Sequence, residues 1–281
     1  MSVEASDEEF RWWMRANLAR ATERFGLTVT GDPHWGWCLR SISAPAEGDR
    51  YGACWLRVGS EQTRSLTDMG EFWNGNTEAN AIIGVPKPVV LDQIQWDAPD
   101  QLRRVRAEVM TLLPGQPCSP TEALRTPVTL PDTWWVSLRE SLDQIRTVPT
   151  TRFVDRSPVS ARATAVLGFE LRVDHWETVH GDLHWNNLLG PQLGILDWEM
   201  WGRGPAGSDA ATLYCLSLLA PATANRVHEV FADVLDSPAG RIAQLFTAAR
   251  LLTHTAQDCP ELAAPLRRHI ETLVSERRRT V

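Results

Sequence analysis

The chain has 281 residues, 43% of them apolar and 22% charged, enough to bury one large or two modest cores and unlike the composition of a disordered chain. Its 28 basic and 35 acidic residues leave a formal charge of −7, which speaks against the basic surface of a nucleic-acid binder, and no apolar run reaches the roughly 20 residues that span a bilayer. Five scattered cysteines without a Cys-x-x-Cys pair, and an acidic N-terminus with no apolar core, lead us to expect a cytoplasmic protein with reduced thiols and no secretory signal.

Residues 6–24 carry Trp12, Trp13, Leu18 and Ala21 at helical spacing, an opening amphipathic helix. From Gly26 the pattern shifts to short β-prone runs at 27–30, 36–42 and 51–58, with turn residues at 31–33 and 47–49 between them. A helix is expected across 68–83, a strand through 89–91 and another over 105–113, closed by Pro114-Gly115-Gln116-Pro117. Beyond that break the chain reads as helical over 131–146, 158–171, 207–220, 223–235, 238–255 and 260–278, with a strand-like patch at 179–198. The layout is α+β, with a small sheet-bearing N-terminal lobe over residues 1–113 and a larger, mainly helical lobe over 114–281.

The chemistry concentrates in Val179-His180-Gly181-Asp182-Leu183-His184-Trp185-Asn186-Asn187, followed by Gly194-Ile195-Leu196-Asp197-Trp198-Glu199. Asp182 stands five residues before Asn187, and Asp197 ten after it. A short buried strand at 194–196 would deliver Asp197 beside the other two. One carboxylate placed as a base, with an amide oxygen and a second carboxylate as hard oxygen ligands, suits Mg²⁺ bound to a polyphosphate.

In these residues the chain resembles the aminoglycoside phosphotransferase and choline kinase family, which shares the bilobal protein-kinase-like fold. The resemblance is strongest over residues 175–220. It implies ATP or GTP and Mg²⁺ as cofactors and a small-molecule hydroxyl as acceptor. Asp182 would be the catalytic base, Asn187 and Asp197 the metal ligands, and His180 and Asp209 the scaffold of the catalytic loop, with Glu199 assisting the metal. The family's strand lysine is replaced by Arg57, for which Glu78, or Glu71 two helical turns earlier, would be the helix partner. The sole lysine, Lys87, lies between two prolines.

Family acceptors include aminoglycosides, tuberactinomycin peptides such as capreomycin and viomycin, macrolides, choline, homoserine and sugars. The acidic balance favours a cationic antibiotic, and thus resistance, as the first expectation, with a small-metabolite kinase as the alternative. Most tryptophans are expected in core or lobe packing, with Trp198 or Trp201 beside the metal loop as candidates for lining the acceptor pocket, and Asp233, Asp236, Asp258 and Glu261 are candidate acceptor contacts. Two further classes fit parts of the pattern. His180-x-Asp182-x-His184, with Asp32-Pro33-His34 upstream, is similar to elements of dinuclear metallophosphoesterases, and Arg57 in the lysine position would suit a non-catalytic nucleotide-binding relative. Neither nucleic acid nor membrane is expected as a partner.

Overall fold

The computed structural model describes residues 3–65, 70–153, 159–254 and 259–279. The chain forms two compact units, Met1–Asn80 with Pro88–Leu113, and Ala81–Lys87 with Pro114–Val281. The segment Ala81–Lys87 therefore belongs to the second unit, although it precedes the last two strands of the first.

The first unit contains α1 (Val3–Phe25), β1 (Thr28–Val29), β2 (His34–Trp35), β3 (Ser41–Gly48), β4 (Gly52–Gln62), α2 (Gly70–Glu78), β5 (Val90–Ala98) and β6 (Arg103–Thr111). Its antiparallel sheet has the order β1-β3-β4-β6-β5, with β2 also on β3. The core follows from two periodicities. Met14, Leu18 and Ala21 recur on one face of α1, while Cys54, Leu56 and Val58 of β4 and Val105, Ala107 and Val109 of β6 alternate onto one face of the sheet. Trp12, expected on the apolar stripe, is 70% exposed, and Met14 takes its place in the core.

The strand expected over 36–42 begins only at Ser41. Residues Trp37–Leu39 form a tight turn in which Cys38 and Leu39 adopt φ of +48° and +58°. The chain doubles back here, with the Gly36 N–H donating to the Ser41 carbonyl (2.9 Å). A Cβ on Gly36 would come 2.1 Å from Ser41 Oγ. The aromatic content of the segment mimics a strand, but its close approach demands a turn.

The second unit opens with β7 (Gln116–Pro117), α3 (Asp132–Ile145) and α4 (Val159–Leu167), then β8 (Trp176–Val179), β9 (Leu188–Gly190), β10 (Gly194–Ile195) and β11 (Gly202–Pro205). It ends in α5 (Ser208–Cys215), α6 (Pro221–Leu235), α7 (Pro238–His254) and α8 (Ala263–Arg279). Leu245 and Ala249 of α7 pack with Ala163 and Leu273. Trp134 and Trp135 of α3, with ring centroids 5.0 Å apart, each lie 6.2 Å from that of Trp185. The indole N–H groups are satisfied as buried ones must be. That of Trp134 donates to the Leu189 carbonyl (2.7 Å) and that of Trp185 to Ser217 Oγ (2.9 Å). No helix among the described residues is long and apolar enough to cross a membrane.

Candidate active site

Strand β8, paired to β11 with Val179 opposite Gly202, runs into His180-Gly181-Asp182. Gly181 turns the chain at φ +83°. Asp209, in the first turn of α5, fixes that turn from below: Oδ2 accepts the His180 N–H (2.7 Å) and Oδ1 the Gly181 N–H (3.0 Å). Burial pushes the Asp209 carboxyl up against the pull of His180 and these two donors. His180 is wholly buried, and burial holds it below its ordinary value. Its Nε2 lies 2.9 Å from the Leu196 carbonyl, and the Asp182 N–H donates to its Nδ1 (3.3 Å). The ring is therefore neutral with the proton on Nε2. It meets Trp198 edge-on at 4.8 Å. Asp209 and His180 thus hold the loop, as expected of a scaffold.

Strands β9 and β10 form a hairpin, with Leu188 opposite Ile195 and Leu189 opposite Gly194. Its open end sets Asn187 against Leu196, whose N–H donates to the Asn187 carbonyl (2.8 Å). Asp197 follows at φ +58°, with an exposed side chain. Asn187 Nδ2 donates to the Asp182 carbonyl (3.1 Å). One loop and one hairpin therefore bring Asp182, Asn187 and Asp197 together.

The Asp182 side chain is 34% exposed. Burial raises its carboxyl, but the hydrogen bond and charge of His184, with Arg250, pull it below the ordinary carboxylate value, so it is ionised at neutral pH. His184 Nε2 lies 3.5 Å from Asp182 Oδ2 and 3.1 Å from Asn187 Nδ2. Burial lowers the imidazole and Asp182 raises it, leaving it above its ordinary value. Asn187 commits its amide nitrogen to the loop, which leaves Oδ1 as the donor atom for a cation. Among the described residues no three His, Cys, Asp or Glu side chains are grouped around one point. A dinuclear hydrolase centre would need such a group. Mg²⁺ does not, because it keeps waters and substrate phosphates in its shell. The donor set therefore fits Mg²⁺.

In the first unit, Arg57 of β4 stands directly opposite Glu108 of β6. Its Nη1 lies 3.6 Å from Glu108 Oε2, and Arg106 Nη1 lies 3.8 Å from Oε1. Asn76 of α2 donates to the same carboxylate (3.1 Å). Arg106 also bonds the Trp73 carbonyl and Asn74 Oδ1 (2.7 Å). The sequence reading missed Glu108, whose only signal is an acid in mid-strand opposite a basic residue. Among the described residues, Asn76 is the α2 side chain seen to reach this carboxylate, and Glu78 ends α2 with an exposed side chain. The Glu71 side chain lies outside the described residues.

Other expectations are corrected. Trp198 and Trp201 are 1% and 5% exposed and serve as packing. Trp201 lies under the Arg152 guanidinium at 4.9 Å. That arginine, absent from the sequence reading, donates to the Trp201 (2.9 Å) and Glu199 (3.1 Å) carbonyls and clamps the segment after Asp197. The acids expected to meet a cationic acceptor are paired within the chain: Asp233 takes two bonds from Arg139 (2.6 and 2.8 Å), Asp236 faces His228 (3.0 Å), and Glu261 accepts from Arg125 (2.8 Å). Asp258 lies outside the described residues.

Lys87 is 5% exposed, with its ammonium 5.8 Å from the Trp198 ring centroid. Burial lowers its pKa to about 8. A depressed lysine penalises the fold while it stays charged, so the penalty is full below pH 8 and vanishes above the unfolded value near 10.5. Lys87→Met is therefore expected to gain about 2–3 kcal/mol at pH 7. Urea denaturation across pH 7–10.5 should show the gain shrinking as pH rises.

Solved structures share this architecture. A thermostable mutant of aminoglycoside phosphotransferase APH(4)-Ia, in ternary complex with ADP and hygromycin B, is 15% identical with a TM-score of 0.55, over 90% of this chain and 96% of that one. The GDP complex of aminoglycoside 2′-phosphotransferase-IIIa is 13% identical, with a TM-score of 0.56 over 94% and 99%. Amicoumacin kinase hAmiN, in complex with AMP-PNP, Ca²⁺ and Ami, is 13% identical, with a TM-score of 0.54 over 95% and 96%. The chain has the α+β, protein-kinase-like fold of these proteins. No family model and no curated protein matches the sequence.

Proposed function

We propose that this chain, which carries the fold of the aminoglycoside phosphotransferases, moves the γ-phosphoryl group of ATP or GTP to a hydroxyl of a small molecule. The observation that carries the reading is the meeting of Asp182, Asn187 and Asp197 on a loop braced by His180 and Asp209. The ionised Asp182 orients the acceptor hydroxyl and takes its proton as the new O–P bond forms. The bond from the γ-phosphorus to the β,γ-bridging oxygen breaks, and the nucleoside diphosphate leaves. Asn187 and Asp197 would hold Mg²⁺, which neutralises charge on the phosphates when bound. Positioning carries most of such a reaction.

Arg57, pre-oriented by Glu108, is the residue for the nucleotide phosphates. A charge-assisted hydrogen bond contributes about 1.5–3 kcal/mol. Arg57→Ala is therefore expected to raise the KM for ATP about tenfold or more, with the acceptor KM nearly unchanged. Equal effects on both constants would contradict this assignment.

The test of the reaction is an acceptor panel incubated with enzyme and Mg–ATP and read by mass spectrometry, with Asp182→Ala as control. Gain of one phosphoryl group only with the intact enzyme supports the reading. Failure of both Mg–ATP and Mg–GTP to bind, measured by isothermal titration, removes it.

A further inference from the structure

Beside the catalytic loop, wholly within the second unit, lies a small cleft open to solvent. Gly181, Arg203, Ser208, Thr212, Thr247 and Arg250 line it. Asp182 is not itself in this lining, but Arg250 is, and it is one of the charges that hold the Asp182 carboxyl below its ordinary value, so the cleft borders the residue assigned as base. The ionisable side chains in this lining are two arginines. Arg250 braces the loop through Nη1, which donates to the Gly181 carbonyl (3.2 Å). Arg203 is exposed, with its guanidinium carbon 5.7 Å from the Phe153 ring. No ion pair joins Arg203 to a carboxylate among the described residues.

Of the acids close by, Asp182 faces His184 and Arg250, and the other two are engaged by backbone N–H groups. Asp209 takes the two loop N–H groups, and Glu177 accepts the Gly207 N–H (2.7 Å). Thr247 is 1% exposed, and its Oγ1 has no hydrogen-bond partner among the described residues. A buried hydroxyl left so costs about 1–3 kcal/mol, which a ligand oxygen would relieve. A polycation entering this cleft would meet two like charges, whereas an oxyanion would meet planar guanidinium groups suited to bidentate bonding. The overall charge of −7 gives an anion no long-range attraction, so recognition must be local.

We propose that the acceptor is an anion: a hydroxylated small molecule whose carboxylate or phosphate group is held in this cleft by Arg203 and Arg250, with its hydroxyl presented to Asp182. The proposal rests on the phosphotransferase reading and reverses the expectation of a cationic antibiotic. Arg203 is the residue to change, since it is exposed and does not brace the loop.

The full chain, with its nucleotide site saturated by Mg–AMP-PNP, is titrated calorimetrically with inorganic phosphate and with glycerate. At least one probe is expected to bind, about tenfold or more weakly to Arg203→Ala, with Arg203→Lys recovering part of the loss and Mg–ATP affinity unchanged. Phosphoryl transfer is then read by mass spectrometry on hydroxy acids, sugar phosphates, neutral sugars and aminoglycosides. Product confined to the first two groups supports the proposal, and which of them reacts tells carboxylate from phosphate. Three results overturn it: neither probe binding, binding indifferent to Arg203→Ala, or transfer directed to aminoglycosides or neutral sugars. If neither Mg–ATP nor Mg–GTP binds while the probes do so through Arg203, the cleft stands as an anion site and the phosphotransferase reading falls.

Discussion

Replacing Asp182 with asparagine is expected to lower kcat by about 10³-fold, within the range contributed by a positioned general base, while Mg–ATP affinity stays within about threefold. Asparagine fills the same space and keeps the backbone bonds of residue 182, the N–H to His180 Nδ1 and the carbonyl to Asn187. What it removes is the negative charge, which His184 and Arg250 maintain against burial in the native loop. Single-turnover kinetics with preloaded nucleotide would isolate that step from binding. A loss smaller than tenfold, with the fold intact, would show that Asp182 does not handle the hydroxyl proton.

That such a variant could be chosen from the sequence reflects how local the site is. His180, Asp182, Asn187 and Asp197 fall within one loop and one hairpin, so their spacing in the chain is nearly their spacing in space. Asp209 lies only twelve residues after Asp197, at the start of the helix that follows. The helices beyond residue 130 were legible for a similar reason, since their apolar periodicity is a local property.

What stayed hidden depends on register or on distant contact. Glu108 becomes the partner of Arg57 only because β4 and β6 pair with those residues opposite, and a one-residue slip would send one side chain of the pair to the other face. Arg152 reaches carbonyls 47 and 49 residues further on, a relation no local pattern announces. The turn at Trp37–Leu39 misled because exposed aromatics imitate a strand, while the backbone demand rests on Gly36 meeting Ser41. The acids taken for acceptor contacts carried the right charge, but Arg139, His228 and Arg125 already occupy them. Sequence reports charge, whereas availability is a property of packing.

Asp209 offers the second large effect, and it differs in kind. Asp209→Ala would strand the His180 and Gly181 N–H groups in a buried site, at about 1–3 kcal/mol for each unsatisfied donor. Part is returned, because the native carboxylate is itself desolvated, as its raised pKa records. The net loss is expected to be about 2–4 kcal/mol, a serious fraction of a stability that is commonly 5–15 kcal/mol. The rate should also fall, by about 10²-fold, since an ångström of misplacement in the loop suffices for that. Asp209→Asn should be no kinder. An amide turned to accept from one N–H aims its own donors at the other, so its stability is expected within about 1 kcal/mol of the alanine variant. Urea denaturation and kcat, measured on the same preparations, separate the two aspartates: Asp182→Asn loses rate with only the small stability that its lowered carboxyl contributes, whereas both Asp209 variants lose rate and stability together. An Asp209→Ala protein less than about 1 kcal/mol destabilised, with kcat intact, would mean that the loop is held by its other contacts, the edge-on packing of His180 against Trp198 and the Leu196, Arg250 and Asn187 bonds.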